Sequence, residues 1–142
     1  MTEKQYLVTS TLPVTDGNHR DIIDIIAQAT EGGPELPDNA VTDYHHRDRR
    51  DTELRWGHGS ERLGRILTLY ELPGGELHAR IYFDGTGRRI QERKDALLRG
   101  EPMTLGLIYT HTRNQGTGAE IWRFPALRLY PTPPGDEGGT DA

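Results

Sequence analysis

The stretch RILTLYELPGGELHARIYFD, residues 65–84, leaves few folds open. Two runs rich in β-branched and aromatic residues flank Pro73-Gly74-Gly75. In the second run Leu77, Ala79, Ile81 and Phe83 alternate with His78, Arg80, Tyr82 and Asp84. A period of two with turn glycines between the runs specifies a β-hairpin with one buried face. An isolated hairpin is barely stable in water, so the rest of the chain has to cover that face. At 142 residues the chain is one domain by length, large enough for a modest core. Seventeen glycines, nine prolines and only 33% hydrophobic residues fit a turn-rich, β-rich architecture.

Around the hairpin, residues 5–12 alternate as a first strand, ended by Pro13 and the turn residues Asp16, Gly17 and Asn18. Over residues 19–30, Ile22, Ile23, Ile25, Ile26 and Ala29 form one apolar stripe at helical spacing. Asp16 or Asn18 can cap its start and Gly32-Gly33-Pro34 can stop it, which predicts a helix. Residues 34–53 are polar and hold the charge run YHHRDRRDTE, read as a loop with room for one short helical turn. After the break at Gly85-Thr86-Gly87, residues 88–99 present Ile90, Leu97 and Leu98 on one side of a helix that Gly100 ends. Residues 103–112 form a strand with Met103, Leu105, Leu107, Tyr109 and His111 on one face. A turn at 113–119 leads to short strands at 120–124 and 126–130, separated by Pro125. The order β, α, loop, ββ, α, βββ predicts an α+β domain over residues 1–130: a mostly antiparallel sheet or small barrel flanked by two helices. The Pro, Gly and acidic tail at 131–142 is expected to be disordered.

Composition removes several classes of function. The chain has no cysteine, which excludes disulfides, thiolate zinc sites and a cysteine nucleophile. A net charge of -5 argues against nonspecific nucleic-acid binding. No run reaches the length of a membrane span, and MTEKQYLVTS lacks a charged-then-apolar export pattern. A soluble intracellular or particle-associated domain is what remains. His45, His46, Asp48, Asp51 and Glu53 could be imagined around a metal. Arg47, Arg49, Arg50 and Arg55 crowd the same segment, so a solvated charged loop is preferred and no metal or other cofactor is expected. Gly85-Thr86-Gly87 could bind an anion at a helix start, but lacks the P-loop lysine and reads as a plain turn. Tyr70, Tyr82, Tyr109, Trp122 and Tyr130 fit ordinary cross-strand pairing, and Trp56 fits a lid over one end of the core.

One histidine, His58, stands between two glycines at the mouth of the hairpin. Gly57-His58-Gly59 suits any tight turn that needs positive φ, with the imidazole bonded to a neighbouring carbonyl. Three stretches give it a second meaning: LRWGHGSERLGRILTLYEL at 54–72, LLRGEPMTLGLIY at 97–109 and ALRLYPTP at 126–133. In this order and with compatible gaps, the set resembles the tailed-phage prohead (head-maturation) serine proteases. In that family a catalytic histidine follows a short apolar strand and precedes a glycine that opens a hairpin. A later strand carries the nucleophile in a Leu-Ser-Ile-Gly-Tyr-like motif. The resemblance implies the β-barrel with flanking helices shared with herpesvirus assemblins, and action in capsid assembly with the major capsid or scaffolding protein as partner. It also implies residence in the phage head or host cytoplasm.

The departures from that family decide the expected chemistry. Aligning the tyrosines puts Gly106 at the nucleophile position; aligning the glycines puts Thr104 there. The acidic position of the last stretch falls on Ala126. Of the two serines, Ser10 lies in the first strand and Ser60 is close enough to His58 to bond its own loop. Serine-type hydrolysis needs a hydroxyl at the imidazole, an orienting group behind it and donors for the oxyanion. His58 would be the base, His78 or His111 the orienting group and Thr104 the nucleophile, although its β-methyl crowds attack. The favoured reading is a degenerate copy: a structural head component without peptidase chemistry. An active endopeptidase using His58 and Thr104, and an unrelated β-rich protein-binding module, remain as alternatives. The sequence leaves homo-oligomerisation open.

Overall fold

The structure, a computed structural model, describes residues 2–14, 21–37, 39–48, 52–59, 61–85 and 87–132, with side chains in the 39–48 segment described as far as residue 44. Along the chain run β1 (Thr2–Pro13), β2 (Ile22–Ala29), α1 (Ala40–Asp48), β3 (Glu53–Trp56), β4 (Arg62–Leu72), β5 (Glu76–Tyr82), α2 (Arg88–Leu98), β6 (Met103–Arg113) and β7 (Glu120–Pro131). The strands close a barrel in the order β1-β2-β5-β4-β3-β7-β6. All pairings are antiparallel except β3 with β7, which run parallel, so the sheet is mixed. Closure leaves no open sheet edge around the barrel wall.

The hairpin forms as its pattern dictates. Leu77, Ala79, Ile81 and Phe83 all point into the core, each at most 3% exposed, while the intervening residues face outward. At full burial each large apolar side chain contributes about 1.5–3 kcal/mol. Gly64, at the start of β4, has no room for a side chain: a Cβ there would lie 2.1 Å from the Tyr82 carbonyl oxygen. Two backbones meet at that corner, which is what an interior strand glycine permits.

Three expectations are corrected. The helix read over 19–30 is instead a strand, β2, between β1 and β5; residues 19 and 20 lie outside the described residues. Ile23, Ile25 and Ala27 are fully buried at a period of two, with half-buried Ile22 before them and half-buried Ile26 among them. A run this dense in isoleucine satisfies both templates, and β-branched side chains with a ladder partner on each side tip it to strand. The segment read as a loop, 34–53, contains α1 and the start of β3. Val41 and Tyr44, one helical turn apart, are buried against β4 and β7, with the Tyr44 ring edge-on to Phe124 at 5.7 Å. Finally, the two strands expected around Pro125 are one, β7. Its register with β6 skips between Ile108 and Thr110, and Pro125 sits in that bulge, where its missing N–H costs no ladder bond. Residues 133–142 lie outside the described residues, but Pro131 still belongs to β7 and the Thr132 amide donates to the Pro102 carbonyl at 2.9 Å.

Helix α2 forms where expected and ends at Gly100, whose φ is +82°. It closes the barrel end where β1 and β5 finish and β2 and β4 begin. Leu97 enters the core there, the Lys94 ammonium donates to Asp21 at 2.8 Å, and the Leu97 carbonyl accepts from the Thr11 hydroxyl at 3.1 Å. A Cβ at Gly85 would lie 2.2 Å from Cδ1 of Ile90, the movable end of that side chain. Thr86 is outside the described residues, and the α2 N-cap has no side-chain hydrogen bond.

Candidate functional site

The three stretches behind the resemblance are contiguous in the barrel. β3 pairs with both β4 and β7, and β7 pairs with β6. The last of them, in β7, packs against the turn at Gly57–Gly59 that follows β3. Gly57 has φ +54°, the left-handed region that glycine adopts without strain. Its amide donates to the Leu129 carbonyl at 2.9 Å, and the Trp56 amide donates to Glu61 at 3.0 Å. Arg128, facing outward from β7, donates through one Nη to the carbonyls of Gly57 at 2.6 Å and Gly59 at 3.3 Å. One guanidinium therefore holds the backbone on both sides of the histidine. Gly59 has an ordinary φ, so only the first glycine is required by the turn.

His58 is exposed, and its ring lies 5.1 Å from that of Tyr130, tilted by 54°. Among the described residues it has no hydrogen-bond partner; Ser60 lies outside them. Tyr130 is also the strand partner of Thr104. A phenol ring thus stands between the imidazole loop and the threonine. The Thr104 hydroxyl bonds instead to that of Thr132, at 2.6 Å.

Gly106, the other candidate position, lies on the same outer face beneath Glu3. A Cβ there would come within 1.7 Å of the Glu3 carboxylate. The Tyr130 hydroxyl donates to this carboxylate at 3.0 Å, and the Gln5 amide group approaches it at 3.4 Å. Burial, then the bond to Glu3 and its charge, push the Tyr130 phenol up to about 12. An oxyanion needs converging donors, whereas the group over this strand is a carboxylate, an acceptor.

Neither other histidine can orient His58. His111 lies seven residues along β6 from Thr104, about 23 Å at the usual strand rise. It stacks on Trp122 at 4.0 Å and bonds Glu120 at 2.6 Å. His78 is on β5, three strands from β7 round the barrel, stacked on Tyr70 at 4.8 Å and bonded to Glu76 at 2.8 Å. Ala126 lies beside Glu53, but that carboxylate is engaged by Arg55 and Arg62, which hold its pKa down. Of the imagined metal cluster, only Glu53 has a described side chain, and among the described residues no group of three or more metal-ligating side chains gathers. Trp56 packs on the core as expected of a lid, with Arg93 over its ring at 4.1 Å and paired with Glu61.

Arg128 and Glu3 were not legible as site residues, because the groups they touch are remote in sequence. Replacing Arg128 by Met removes both carbonyl clamps. A hydrogen bond of this kind contributes about 1 kcal/mol, so exchange of the Gly57 amide should quicken roughly fivefold. Hydrogen-exchange NMR measures this, and unchanged protection would show that the turn holds itself.

No helix among the described residues is long and apolar enough to cross a membrane. No protein-family model matches the chain, and comparison with characterised proteins and with solved structures finds no match to either.

Proposed function

We propose that this chain is an assembly component of a tailed-phage head, built on the prohead-protease plan, that does not hydrolyse peptides. What carries the reading is the surroundings of His58. The three stretches of the resemblance lie on adjacent strands, and among the described residues the imidazole meets the Tyr130 ring rather than an alcohol. Of the two candidate nucleophile positions, one hydroxyl is committed to Thr132 and the other position is a glycine under a carboxylate. With no nucleophile or oxyanion donor at the imidazole among the described residues, nothing there supports the rate enhancement of a serine-type site. On this reading the closed barrel binds the major capsid or scaffolding protein during shell assembly.

The test incubates the purified chain with the capsid and scaffolding proteins of the same phage. The expected result is co-sedimentation with assembled shells and no cleavage product. Clipping that disappears in both Thr104→Ala and His58→Ala would overturn the proposal in favour of a threonine endopeptidase. Failure to co-sediment, with no clipping, would reduce the chain to a binding module of another system.

A further inference from the structure

A second polar constellation lies at the opposite end of the barrel from α2 and does not depend on the function proposed above. On β1, Lys4 and Tyr6 face inward; they are 6% and 0% exposed. Near the end of β4, Glu71 faces them. Its Oε2 accepts from the Lys4 ammonium at 3.0 Å and from the Tyr6 hydroxyl at 2.5 Å. Lys4 and Glu71 line an open cleft of about 440 Å³, with Tyr6 behind them. One wall is the segment from Thr30 to Leu36, the other the turn from Leu72 to Gly75. The turn is fixed in place, since the Gln28 side chain donates to the Gly74 carbonyl at 2.8 Å and the Ala29 amide to that of Gly75 at 2.9 Å.

The floor is incompletely paired. An ammonium has three donors and a carboxylate several acceptor sites. Among the described residues, Lys4 Nζ has Glu71 as its one hydrogen-bond partner, and Glu71 Oε1 has none. A donor and an acceptor therefore sit side by side at the base of a cleft, the pattern that a primary carboxamide complements with its oxygen and its NH₂. The charges select against anions, because the cleft is lined by one cation, Lys4, and two carboxylates, Glu71 and Glu35. The volume falls within the usual range of ligand sites and holds a side chain with its flanking backbone. We infer that this cleft binds an Asn or Gln side chain presented by a peptide segment of a partner, with Lys4 donating to the amide oxygen and Glu71 accepting from the amide nitrogen.

Amide NMR of the full chain tests this with N-acetylglutamine N-methylamide and, as the matched acid, N-acetylglutamate N-methylamide. The glutamine probe should shift the amides of Thr30, Gly33, Gly74 and Gly75 saturably, and bind about tenfold tighter than the acid, which leaves a buried acceptor unpaired. Lys4→Met should abolish these shifts. Exposed Glu35→Gln, which leaves the floor intact, should narrow the preference between the two probes. The inference is overturned if those amides do not move, if the acid binds as well or better, or if Glu35→Gln leaves the preference unchanged. Acetamide binding as tightly as the glutamine probe would overturn the peptide part of it.

Discussion

Glu71→Ala is expected to lower the unfolding free energy by about 3–5 kcal/mol, the usual cost of removing one partner from a buried ion pair. The side chains of Lys4 and Glu71 are only 7% and 14% exposed, so the stranded ammonium cannot regain full hydration. The Tyr6 hydroxyl loses its acceptor in the same step. For a domain of this size that is a third or more of a typical total stability. Chemical denaturation checks the value. The triple variant Lys4→Met, Tyr6→Phe, Glu71→Leu should recover to within about 1 kcal/mol of the parent, since a well-packed apolar replacement of a buried pair is commonly neutral or better. A loss below about 1 kcal/mol in the single variant would mean that water already reaches the ammonium.

The same triad sets an alkaline limit. Burial, then the hydrogen bond to Glu71 and its charge, push the Tyr6 phenol far above its usual value of 10.0. The unfolded chain releases this proton near pH 10 while the folded chain keeps it. The contribution is therefore complete below pH 10 and lost as pH rises beyond it. Stability measured between pH 10 and 11 should fall less steeply in Tyr6→Phe than in the parent.

Phe124→Ala should cost about 3–5 kcal/mol, in the range of other buried aromatic truncations. Phe124 is 0% exposed, and it joins two parts of the molecule that the chain keeps far apart. Its ring receives the edge of Tyr44 from α1, and its carbonyl accepts from the buried Thr52 hydroxyl at 3.3 Å. The cavity should loosen α1 before the barrel opens, so exchange of the α1 amides should quicken more than that of β5. Phe124→Leu, which keeps most of the volume, should cost under about 1.5 kcal/mol. Equal losses for both substitutions would show that the site collapses around either side chain.

The hairpin, α2, the β1 strand and the apolar face of β6 as far as Tyr109 were legible in the sequence because their periodicities are clear and their turns carry glycine or proline. His111, read on that same face, is exposed because the register of β6 skips between Ile108 and Thr110. β2 was not, since four isoleucines in five residues, Ile22 to Ile26, satisfy a helical stripe as well as an alternation. α1 was hidden because only Val41 and Tyr44 mark its apolar side within a charged run. β3, only four residues long, gains its place from two neighbours rather than from its own pattern.

At the candidate site, the sequence placed His58 in a tight turn and left both nucleophile registers without a serine. What it could not supply were the partners: Tyr130 against the imidazole, Arg128 over the turn, Glu3 over Gly106, and Glu71 beneath Lys4. Glu71 and Lys4 are 67 residues apart, and Arg128 lies 71 from Gly57. Local backbone preference and side-chain alternation act over a few residues, so the chain alone determined where strands and turns can form and which faces are apolar. Which polar groups meet is decided by barrel closure, because only the pairing of strands distant in sequence brings those side chains within hydrogen-bond range.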